Sequence, residues 1–405
     1  MEYVKRVYDA IHGFIRLTDI EVKVIDTCIF QRLRRIRQLG PAEYVYPSAT
    51  HTRFSHSLGT LFLANLMLEH LNINDSTTVQ SVRLAALLHD IGHFPFSHAV
   101  EPVSHEKVTR TLIRNYLVDV LSDYTDDIIK LLDRRHRFYG IVSSEVDADR
   151  LDYLVRDAYF TGLKYGMIDV EKIIESLTLV DYMGREVLAF KSDSEIAIEN
   201  LLISRYHMFR RVYYHNVVSG FEALLSKIYE QLVHDNFLPS LDVLLNDKER
   251  WCTFDDCKFL EILRKAKRES ENIWLREASK LFLERIPLKM IVEIPIYGKG
   301  YINENYAKIY ALWKKGELED YLADKADVPR EWIIVYKPRV AVVKRPGELL
   351  VVNENGKVER IGSRHDRIID RIMKLFYSPL RIYTDPRHRD RVKTAINKMI
   401  NNSPS

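Results

Sequence analysis

The residues best suited to metal chemistry lie between positions 89 and 105. Four histidines and one adjacent aspartate stand in these seventeen positions: His89, His93, His98 and His105, with Asp90. Imidazole is the commonest transition-metal ligand in proteins, and a neighbouring carboxylate adds a hard oxygen ligand. One histidine on an apolar helix is usually a hydrogen-bonded core residue, but packing does not require four so close together. The segment therefore predicts a metal centre.

A hydrolytic metal centre needs further protein ligands and an open position for water or substrate. His89 and Asp90 offer two ligands at the end of one predicted helix, and His56 stands near the start of another. A further ligand should be a distant carboxylate. Four aspartates crowd a third predicted helix: Asp147, Asp149, Asp152 and Asp157. Periodicity does not choose among them, and the alternative interpretation is a solvated acidic face paired with Arg150 and Arg156.

Helical periodicity dominates the chain from about residue 20 to about residue 235. Ser144 and Asp147 predict a capping box that opens the helix containing Asp149. After residue 236, a helical stretch over 258–283 precedes apolar β-rich runs at 289–297, 332–343, 349–352 and 380–383, and a basic helix over 386–400. We expect a mainly α protein, with a helical domain over residues 1–235 and a smaller C-terminal α+β accessory region over residues 236–405.

Charge and cysteine content restrict the setting in which the chain works. Lys and Arg total 60 against 57 Asp and Glu, a balance that argues against a nucleic-acid coat or a polybasic membrane anchor. The three cysteines Cys28, Cys252 and Cys257 form no CxxC pair, which predicts reduced thiols. The N-terminus lacks the apolar core of a signal peptide, and 58–71 is too short to span a bilayer. We expect a cytoplasmic protein with no membrane partner.

Several motifs, taken in order, carry a resemblance to a known family. They include Asp9-Ala-Ile-His-Gly13, Phe30-Gln-Arg-Leu-Arg34, Arg53-Phe-Ser-His-Ser-Leu-Gly59, the 89–98 segment and Asp147-Ala-Asp-Arg-Leu-Asp-Tyr153. The set H…HD…D resembles that of the HD-domain metal-dependent phosphohydrolases. More narrowly, the chain resembles the branch containing the sterile-alpha-motif and HD-domain deoxynucleoside triphosphate triphosphohydrolase and its microbial relatives. The likeness covers roughly the first 235 residues, so the helical domain is expected to be an HD domain.

The resemblance implies a role for each matching residue. The metal ligands would be His56, His89, Asp90 and Asp149, holding one divalent transition metal (Fe, Mn, Zn or Ni), with additional Mg on the substrate phosphates. In the catalytic set, His93, His98 and His105 would line the triphosphate, with Glu101 and Glu106 as the carboxylate neighbours of these histidines. The substrate-binding set would be Gln38, Leu39, Arg53, Tyr153, Asp157 and Arg205, with Tyr153 packed against the sugar so that deoxynucleotides are preferred.

The same resemblance implies regulation by an activating nucleotide. In the family, GTP or dGTP binds between subunits, and the matching positions here are Asp26, Gln31 and Arg34. An effector site between subunits requires a homo-oligomer, expected to be a dimer or tetramer. The alternative for the 30–38 stretch, with Arg32, Arg34, Arg35 and Arg37, is an exposed basic helix face.

Three functions compete on these residues. The favoured one is hydrolysis of dNTPs to deoxynucleoside and tripolyphosphate. The second is another HD-type phosphohydrolase: a nucleotidase, a pyrophosphohydrolase or a phosphodiesterase. The third, and least favoured, is a nucleic-acid-binding or regulatory protein with a structural metal, suggested by the basic run Arg134-Arg-His-Arg137 and the basic C-terminal helix. These runs lack the interleaved aromatic residues of a single-strand binding platform.

Overall fold

The computed structural model describes residues 2–297, 302–338, 349–361 and 377–401. The chain forms two compact units, and each is assembled from three stretches of sequence. The first comprises Met1–Met208, Ser240–Phe259 and Val343–Met373, and the second comprises Phe209–Pro239, Leu260–Val342 and Lys374–Ser405. As expected, the fold is mainly α, with small sheets.

The first unit is a helical assembly with two small sheets. Its helices within the described residues are α1 (Asp19–Ile25), α2 (Cys28–Gln31), α3 (Arg53–His70), α4 (Ser76–Leu88), α5 (His105–Leu112), α6 (Val118–Leu121), α7 (Thr125–Leu132), α8 (Tyr139–Val142), α9 (Ala148–Thr161), α10 (Val170–Glu175), α11 (Glu195–Met208), α13 (Leu241–Leu245) and α14 (Lys248–Thr253). Its strands are the hairpin β1 (Lys5–Asp9) and β2 (Gly13–Leu17), and a four-stranded sheet of β3 (Leu177–Tyr182), β4 (Arg185–Lys191), β7 (Leu350–Val352) and β8 (Val358–Arg360). Strands β4 and β7 are parallel, and the other pairs are antiparallel.

The second unit is an α+β structure. Its helices within the described residues are α12 (Asn216–His234), α16 (Ile273–Leu283), α17 (Ala307–Lys315), α18 (Leu318–Ala326) and α19 (Arg389–Asn401), while α15 (Asp256–Glu269) begins in the first unit. Strands β5 (Lys289–Tyr297), β9 (Tyr377–Thr384) and β6 (Ile334–Tyr336) form an antiparallel sheet in that order. The sheet and helices α17, α18 and α19 share an apolar core that includes Ile294, Leu322 and Ile396.

Strand β5 has the bounds that the apolar pattern predicts, and the predicted basic helix is α19. The run at 332–343 forms β6 at its start, and its last residues lie outside the described part of the chain.

Close approach of α3 and α9 depends on a glycine in the middle of α3. A Cβ atom at Gly59 would lie 1.9 Å from Oδ1 of Asp152 and 2.6 Å from a guanidinium nitrogen of Arg156. Any other residue would therefore push the two helices apart. The same feature brings one turn of α3, which carries His56, against the turn of α9 that carries Asp149 and Asp152.

A buried ion pair fixes α4, whose C-terminal end carries His89, to the start of α1. Thr18 and Glu21 form the capping box of α1, and Glu21 also accepts two hydrogen bonds from Arg83 at 2.7 and 2.8 Å. Gln80 donates a further bond to the same carboxylate at 2.9 Å. Both charges are buried, with 0% of Glu21 and 1% of Arg83 exposed. Because both groups are shielded from water, separating them would leave a buried charge without a counter-charge. The pair therefore fixes the position of α4.

Three details differ from the sequence-based expectations. The N-cap of α9 is Asp147, whose side chain accepts from the Arg150 amide, so the helix begins three residues later than a Ser144 cap would place it. Cys28 and Cys252 form a disulfide between α2 and α14, which their separation of 224 residues conceals in the sequence. The predicted helix 30–38 is the short α2 followed by a 3₁₀ turn, and Arg32 in that turn is fully buried rather than part of an exposed face.

Within the part of the chain that the structure describes, no helix has the length and apolar character needed to cross a membrane.

Replacing Arg83 with Ala should destabilise the protein by about 3–5 kcal/mol, because the Glu21 carboxylate would stay buried without a counter-charge. Urea unfolding followed by circular dichroism measures the change. The matched control is Lys23→Ala, which removes an exposed pair with Asp19 at 2.6 Å and should cost less than about 1 kcal/mol. Equal losses in the two variants would contradict the proposed role of the buried pair.

Candidate metal and phosphate site

Three of the side chains that the resemblance implies as metal ligands converge in the first unit. One ligand atom each from His56, His89 and Asp149 lies within 4.8 Å of the others. Nε2 of His56 is 3.1 Å from Oδ1 of Asp149, and Nε2 of His89 is 3.7 Å from the same oxygen. These residues come from α3, the turn after α4, and α9. Asp149 is 29% exposed while His56 is fully buried, so the cluster opens toward solvent on the Asp149 side.

Both imidazoles are oriented by hydrogen bonds at their other ring nitrogen. Nδ1 of His56 donates to Oδ2 of Asp152 at 2.7 Å, and Nδ1 of His89 donates to the Ala86 carbonyl at 2.8 Å. The Nε2 atoms of both rings are buried and have no hydrogen-bond partner. A carboxylate or carbonyl behind a histidine is the usual arrangement when the front nitrogen binds a metal. The donor set therefore fits a divalent cation.

The charges around His56 also favour a cation at this position. Burial opposes the charged imidazolium, but the adjacent Asp149 and Asp152 carboxylates raise the pKa of His56 to about 10. Burial likewise opposes ionisation of Asp149, yet His56 and His89 hold the pKa of Asp149 well below its usual range. The cluster thus stabilises a positive charge among its carboxylates, which a divalent metal would supply in place of the protons.

Asp90, the fourth residue of the implied set of metal ligands, contacts both the cluster and the guanidinium group of Arg53. Its carboxylate oxygens lie 3.3 Å from Nε2 of His89 and 3.7 Å from Nε2 of His56. Oδ2 also accepts a short hydrogen bond from Arg53, whose Nε donates to Ser97 Oγ at 2.9 Å. Asp90 consequently joins the metal cluster to the arginine expected to bind phosphate.

A second histidine cluster lies beside Asp90. Nδ1 of His93 is 3.2 Å from Oδ1 of Asp90, and the His93 ring stacks on His105 with centroids 3.7 Å apart. Glu101 bridges the other two histidines, with Oε2 2.6 Å from Nδ1 of His98 and Oε1 2.7 Å from Nδ1 of His105. Burial opposes ionisation of Glu101, but His105 and His98 hold its pKa below its usual range. One carboxylate therefore orients two imidazoles.

Glu106 makes a weaker contact with this cluster. Its carboxylate is 3.8 Å from Nε2 of His105, is half exposed, and accepts a hydrogen bond from Ser104. Of the two acids expected beside the histidines, Glu101 is thus the one in direct hydrogen-bond contact.

The turn that carries His93 and His98 is held from behind by buried polar groups. Arg32 donates to the carbonyls of His93 at 2.7 Å and Phe254 at 2.6 Å. Asp256 accepts from the Phe96 amide at 2.7 Å. Phe96 and Ser97 both have φ of 56°, a left-handed conformation that costs about 1–3 kcal/mol per non-glycine residue. These hydrogen bonds hold the turn in a conformation that it would not adopt alone.

Gly92 allows α5 to approach this turn. A Cβ atom there would lie 2.3 Å from the His105 carbonyl oxygen and 2.5 Å from the Thr109 amide nitrogen. Because glycine has none, Thr109 can accept from the Gly92 amide and donate to the His89 carbonyl, both at 3.0 Å. His105 on α5 is thereby placed next to His93.

The residues expected to bind substrate differ in burial and in their hydrogen-bond partners. Gln38 is buried, and its Oε1 has no hydrogen-bond partner. Leu39 and Tyr153 are partly buried, and burial raises the pKa of Tyr153 to about 12, so the phenol stays protonated. Asp157 is buried and accepts from Nε2 of His51 at 2.8 Å. Arg205 is buried and donates to Glu145 at 2.8 Å.

The residues expected to bind an effector are close together outside these clusters. Arg34 donates to Oε1 of Gln31 at 2.8 Å, and its guanidinium carbon lies 3.6 Å from the centre of the Phe54 ring. Asp26 is the exposed C-cap of α1, and Gln31 donates to the carbonyl of Ile25 at 2.9 Å. The surface they form is partly pre-arranged by these hydrogen bonds.

The supporting roles of three residues were not predicted from the sequence. Asp152 lies behind His56, and it also accepts from His12 at 2.6 Å and from Arg156 at 2.8 and 2.9 Å. Its position three residues after Asp149 places both on one face of a helix, which is a usable signal. Nothing in the spacing points to Glu145 as the partner of Arg205, or to His12 as a partner of Asp152.

Comparison with known proteins agrees with this geometry. Residues 53–177 match the HD domain family, and residues 168–403 match the HD associated region. A solved phosphohydrolase from Bacteroides thetaiotaomicron shares the fold with a TM-score of 0.76, at 24% identity over 94% of this chain and 99% of that one.

Two curated relatives are similar over part of their length. An uncharacterized protein from Methanocaldococcus jannaschii is 39% identical over 64% of this chain and 55% of its own length. The deoxynucleoside triphosphate triphosphohydrolase SAMHD1 homolog of Dictyostelium discoideum is 31% identical over 60% of this chain and 52% of its own. The matches thus span about half of each relative. The two family matches, which together span residues 53–403, show that the chain belongs to the HD-domain phosphohydrolases, and its curated relatives include members of the SAMHD1-related branch.

Proposed function

We propose that the chain hydrolyses deoxynucleoside triphosphates to a deoxynucleoside and tripolyphosphate, as a cytoplasmic enzyme. The observation that carries the proposal is the adjacency of two clusters through Asp90, which contacts His89 at 3.3 Å and His93 at 3.2 Å. One cluster has the donors for a divalent cation, and the other has imidazoles beside it for phosphate and proton transfer. The named activity of the Dictyostelium relative supports the choice of substrate class.

The chain's own residues would act on the bond between the 5′ oxygen and the α-phosphorus. A bound divalent cation would supply Lewis-acid stabilisation of phosphate charge and make water more acidic. Arg53 and Arg205 would hold phosphate oxygens, because guanidinium groups bind them in bidentate geometry. Water adds to phosphorus and releases a proton to the solvent while the 5′ oxygen leaves with a proton from His98 or His105, which then takes up a proton again from the solvent. Glu101 positions both imidazoles; burial lowers the pKa of His98, and Glu101 opposes that lowering.

This proposal includes the roles that the family resemblance implies for the metal ligands, for the substrate-binding residues, and for the effector-binding residues Asp26, Gln31 and Arg34. His56, His89, Asp90 and Asp149 would hold the metal, with Fe, Mn, Zn or Ni all compatible with imidazole and carboxylate donors. Tyr153 would pack against the sugar and leave no room for a 2′-hydroxyl. A GTP or dGTP activator would act through a homo-oligomer.

Product analysis tests the reaction. The metal-loaded protein is incubated with each dNTP, with and without GTP, and the phosphate product is separated by ion-exchange chromatography. We expect tripolyphosphate and a deoxynucleoside, and faster turnover of dGTP than of GTP as substrate. Orthophosphate or pyrophosphate as the product would instead identify another HD-type phosphohydrolase, and equal turnover of dGTP and GTP would remove the assigned role of Tyr153.

Substitution at Asp152 tests whether it positions the metal ligand His56. Asp152→Asn should weaken metal binding by about 10–100-fold, because the carboxylate no longer fixes the imidazole. Asp149→Ala should remove metal loading under the same conditions. Metal content after dialysis at graded free-metal concentrations gives the affinity, and circular dichroism checks folding. The exposed Asp123→Asn is the matched control, and a folded Asp152→Asn protein with unchanged metal affinity would contradict the assignment.

The pH profile tests the proton donor. A carboxylate beside an imidazole favours the protonated ring, so removing it lowers the histidine pKa. In Glu101→Gln the donor would lose its proton at lower pH, and the alkaline fall of kcat should move down by about one pH unit. Glu106→Gln is the matched control, since Glu106 lies 3.8 Å from His105 and is half exposed. Equal shifts, or none in Glu101→Gln, would show that Glu101 does not tune the donor.

A further inference from the structure

A large cavity lies in the first unit, between the four-stranded sheet and the segment leading into α8. Its volume is about 700 Å³, within the range of about 300–1,000 Å³ typical of small-molecule sites. None of the candidate metal ligands, and none of the histidines of the second cluster, lines it. The basic run Arg134-Arg-His-Arg137, which the proposed reaction does not use, forms part of its wall.

The lining carries a surplus of positive charge. Five arginines line the cavity against two glutamates: Arg134, Arg135, Arg137, Arg185 and Arg360, with Glu145 and Glu186. Glu145 is neutralised from outside the lining by Arg205 at 2.8 Å. Glu186 pairs with Arg137 at 3.3 Å, but both are about half exposed, so water weakens that pair.

Two of the arginines are available to a ligand. Arg185 begins β4 and Arg360 ends β8, and both side chains are exposed at the cavity. Neither forms an ion pair or a side-chain hydrogen bond with another described residue. By contrast, Arg134 is fixed by hydrogen bonds to Ser143 Oγ at 3.1 and 2.9 Å. Fixed and available guanidinium groups in the lining of one cavity are suited to binding an anion with several oxygens.

The rest of the wall is apolar and aromatic. Tyr139, Tyr182 and Leu188 are partly buried, and Phe190 and Leu350 are buried. Such a surface suits a planar or apolar group, because burying it is favourable and a tyrosine can stack on a ring. A simple inorganic anion would leave most of this space unfilled. The lining therefore favours a ligand with an anionic end and a ring.

We propose that this cavity is a second ligand site, which takes a phosphorylated small molecule with an aromatic ring, such as a mononucleotide. The phosphates would lie against Arg185 and Arg360, and the ring would lie against the tyrosines. The proposal does not depend on the reaction assigned to the metal cluster, because the two sites share no candidate ligand or phosphate-binding histidine.

Photo-crosslinking with 8-azido-ATP tests the site in the metal-loaded full chain. After irradiation and proteolysis, mass spectrometry should find label on peptides from 134–146 or 182–190. The double variant Arg185→Ala/Arg360→Ala should reduce that labelling at limiting probe by about ten-fold or more, since each charge-assisted hydrogen bond contributes strongly. Arg264→Ala/Arg276→Ala, which removes two exposed arginines outside the lining, should leave it unchanged.

Three outcomes would overturn the proposal. Label confined to peptides of the metal and histidine clusters would show that the cavity does not bind the probe. Label at the cavity that survives in Arg185→Ala/Arg360→Ala would show that the arginines are not the phosphate contacts. Competition by a single-stranded oligonucleotide at concentrations where ATP does not compete would assign the surface to nucleic acid. Assaying dNTP hydrolysis in the same preparations separates any of these failures from a failure of the proposed reaction.

Discussion

The candidate metal cluster depends on the hydrogen bonds that the buried carboxylate of Asp152 accepts. This carboxylate accepts hydrogen bonds from His12, His56 and Arg156, three residues that belong to the β1–β2 turn, α3 and α9. An uncompensated buried carboxylate would be costly, so all three donors must be present for the site to be stable. Gly59 makes the arrangement possible, because only a residue without a side chain leaves space for Asp152 against α3.

Three carboxylates in succession link the candidate metal cluster to the second histidine cluster. Asp152 fixes His56, Asp90 contacts His89 and His93, and Glu101 contacts His98 and His105. Each acid contacts at least two imidazoles, so the positions of the rings are coupled. A substitution at any of these acids should therefore disturb more than one histidine, which is why matched controls are needed to assign individual roles.

Sequence patterns were sufficient for the fold class and for naming the residues that the structure brings together. Periodicity predicted a mainly α protein, and the apolar run at 289–297 predicted β5. His56, His89 and Asp149 could be named because the motifs that contain them resemble those of the HD-domain family, and the structure brings one ligand atom of each within 4.8 Å of the others, while their role as ligands stays a proposal.

Sequence patterns did not predict contacts between distant parts of the chain. The Cys28–Cys252 disulfide, the Arg205–Glu145 pair and the burial of Arg32 all depend on residues far apart in sequence. Local spacing carries no information about such partners. For the same reason the four aspartates of α9 and its N-cap could not be ranked without the family resemblance, since all four have partners on other elements or in loops.

The hydrogen bonds that hold the 93–98 turn involve residues that lie far along the chain from the histidine motifs. Phe254 and Asp256, which hold Arg32 and Phe96, lie in the part of the chain matched by the HD associated region rather than by the HD domain itself. A fragment ending at residue 235 would keep every candidate ligand and yet leave the left-handed Phe96 without its hydrogen bond to Asp256. The segment around residue 255 thus restrains the turn that carries His93 and His98, and shortening the protein to the part that contains the histidine and aspartate motifs would loosen that turn.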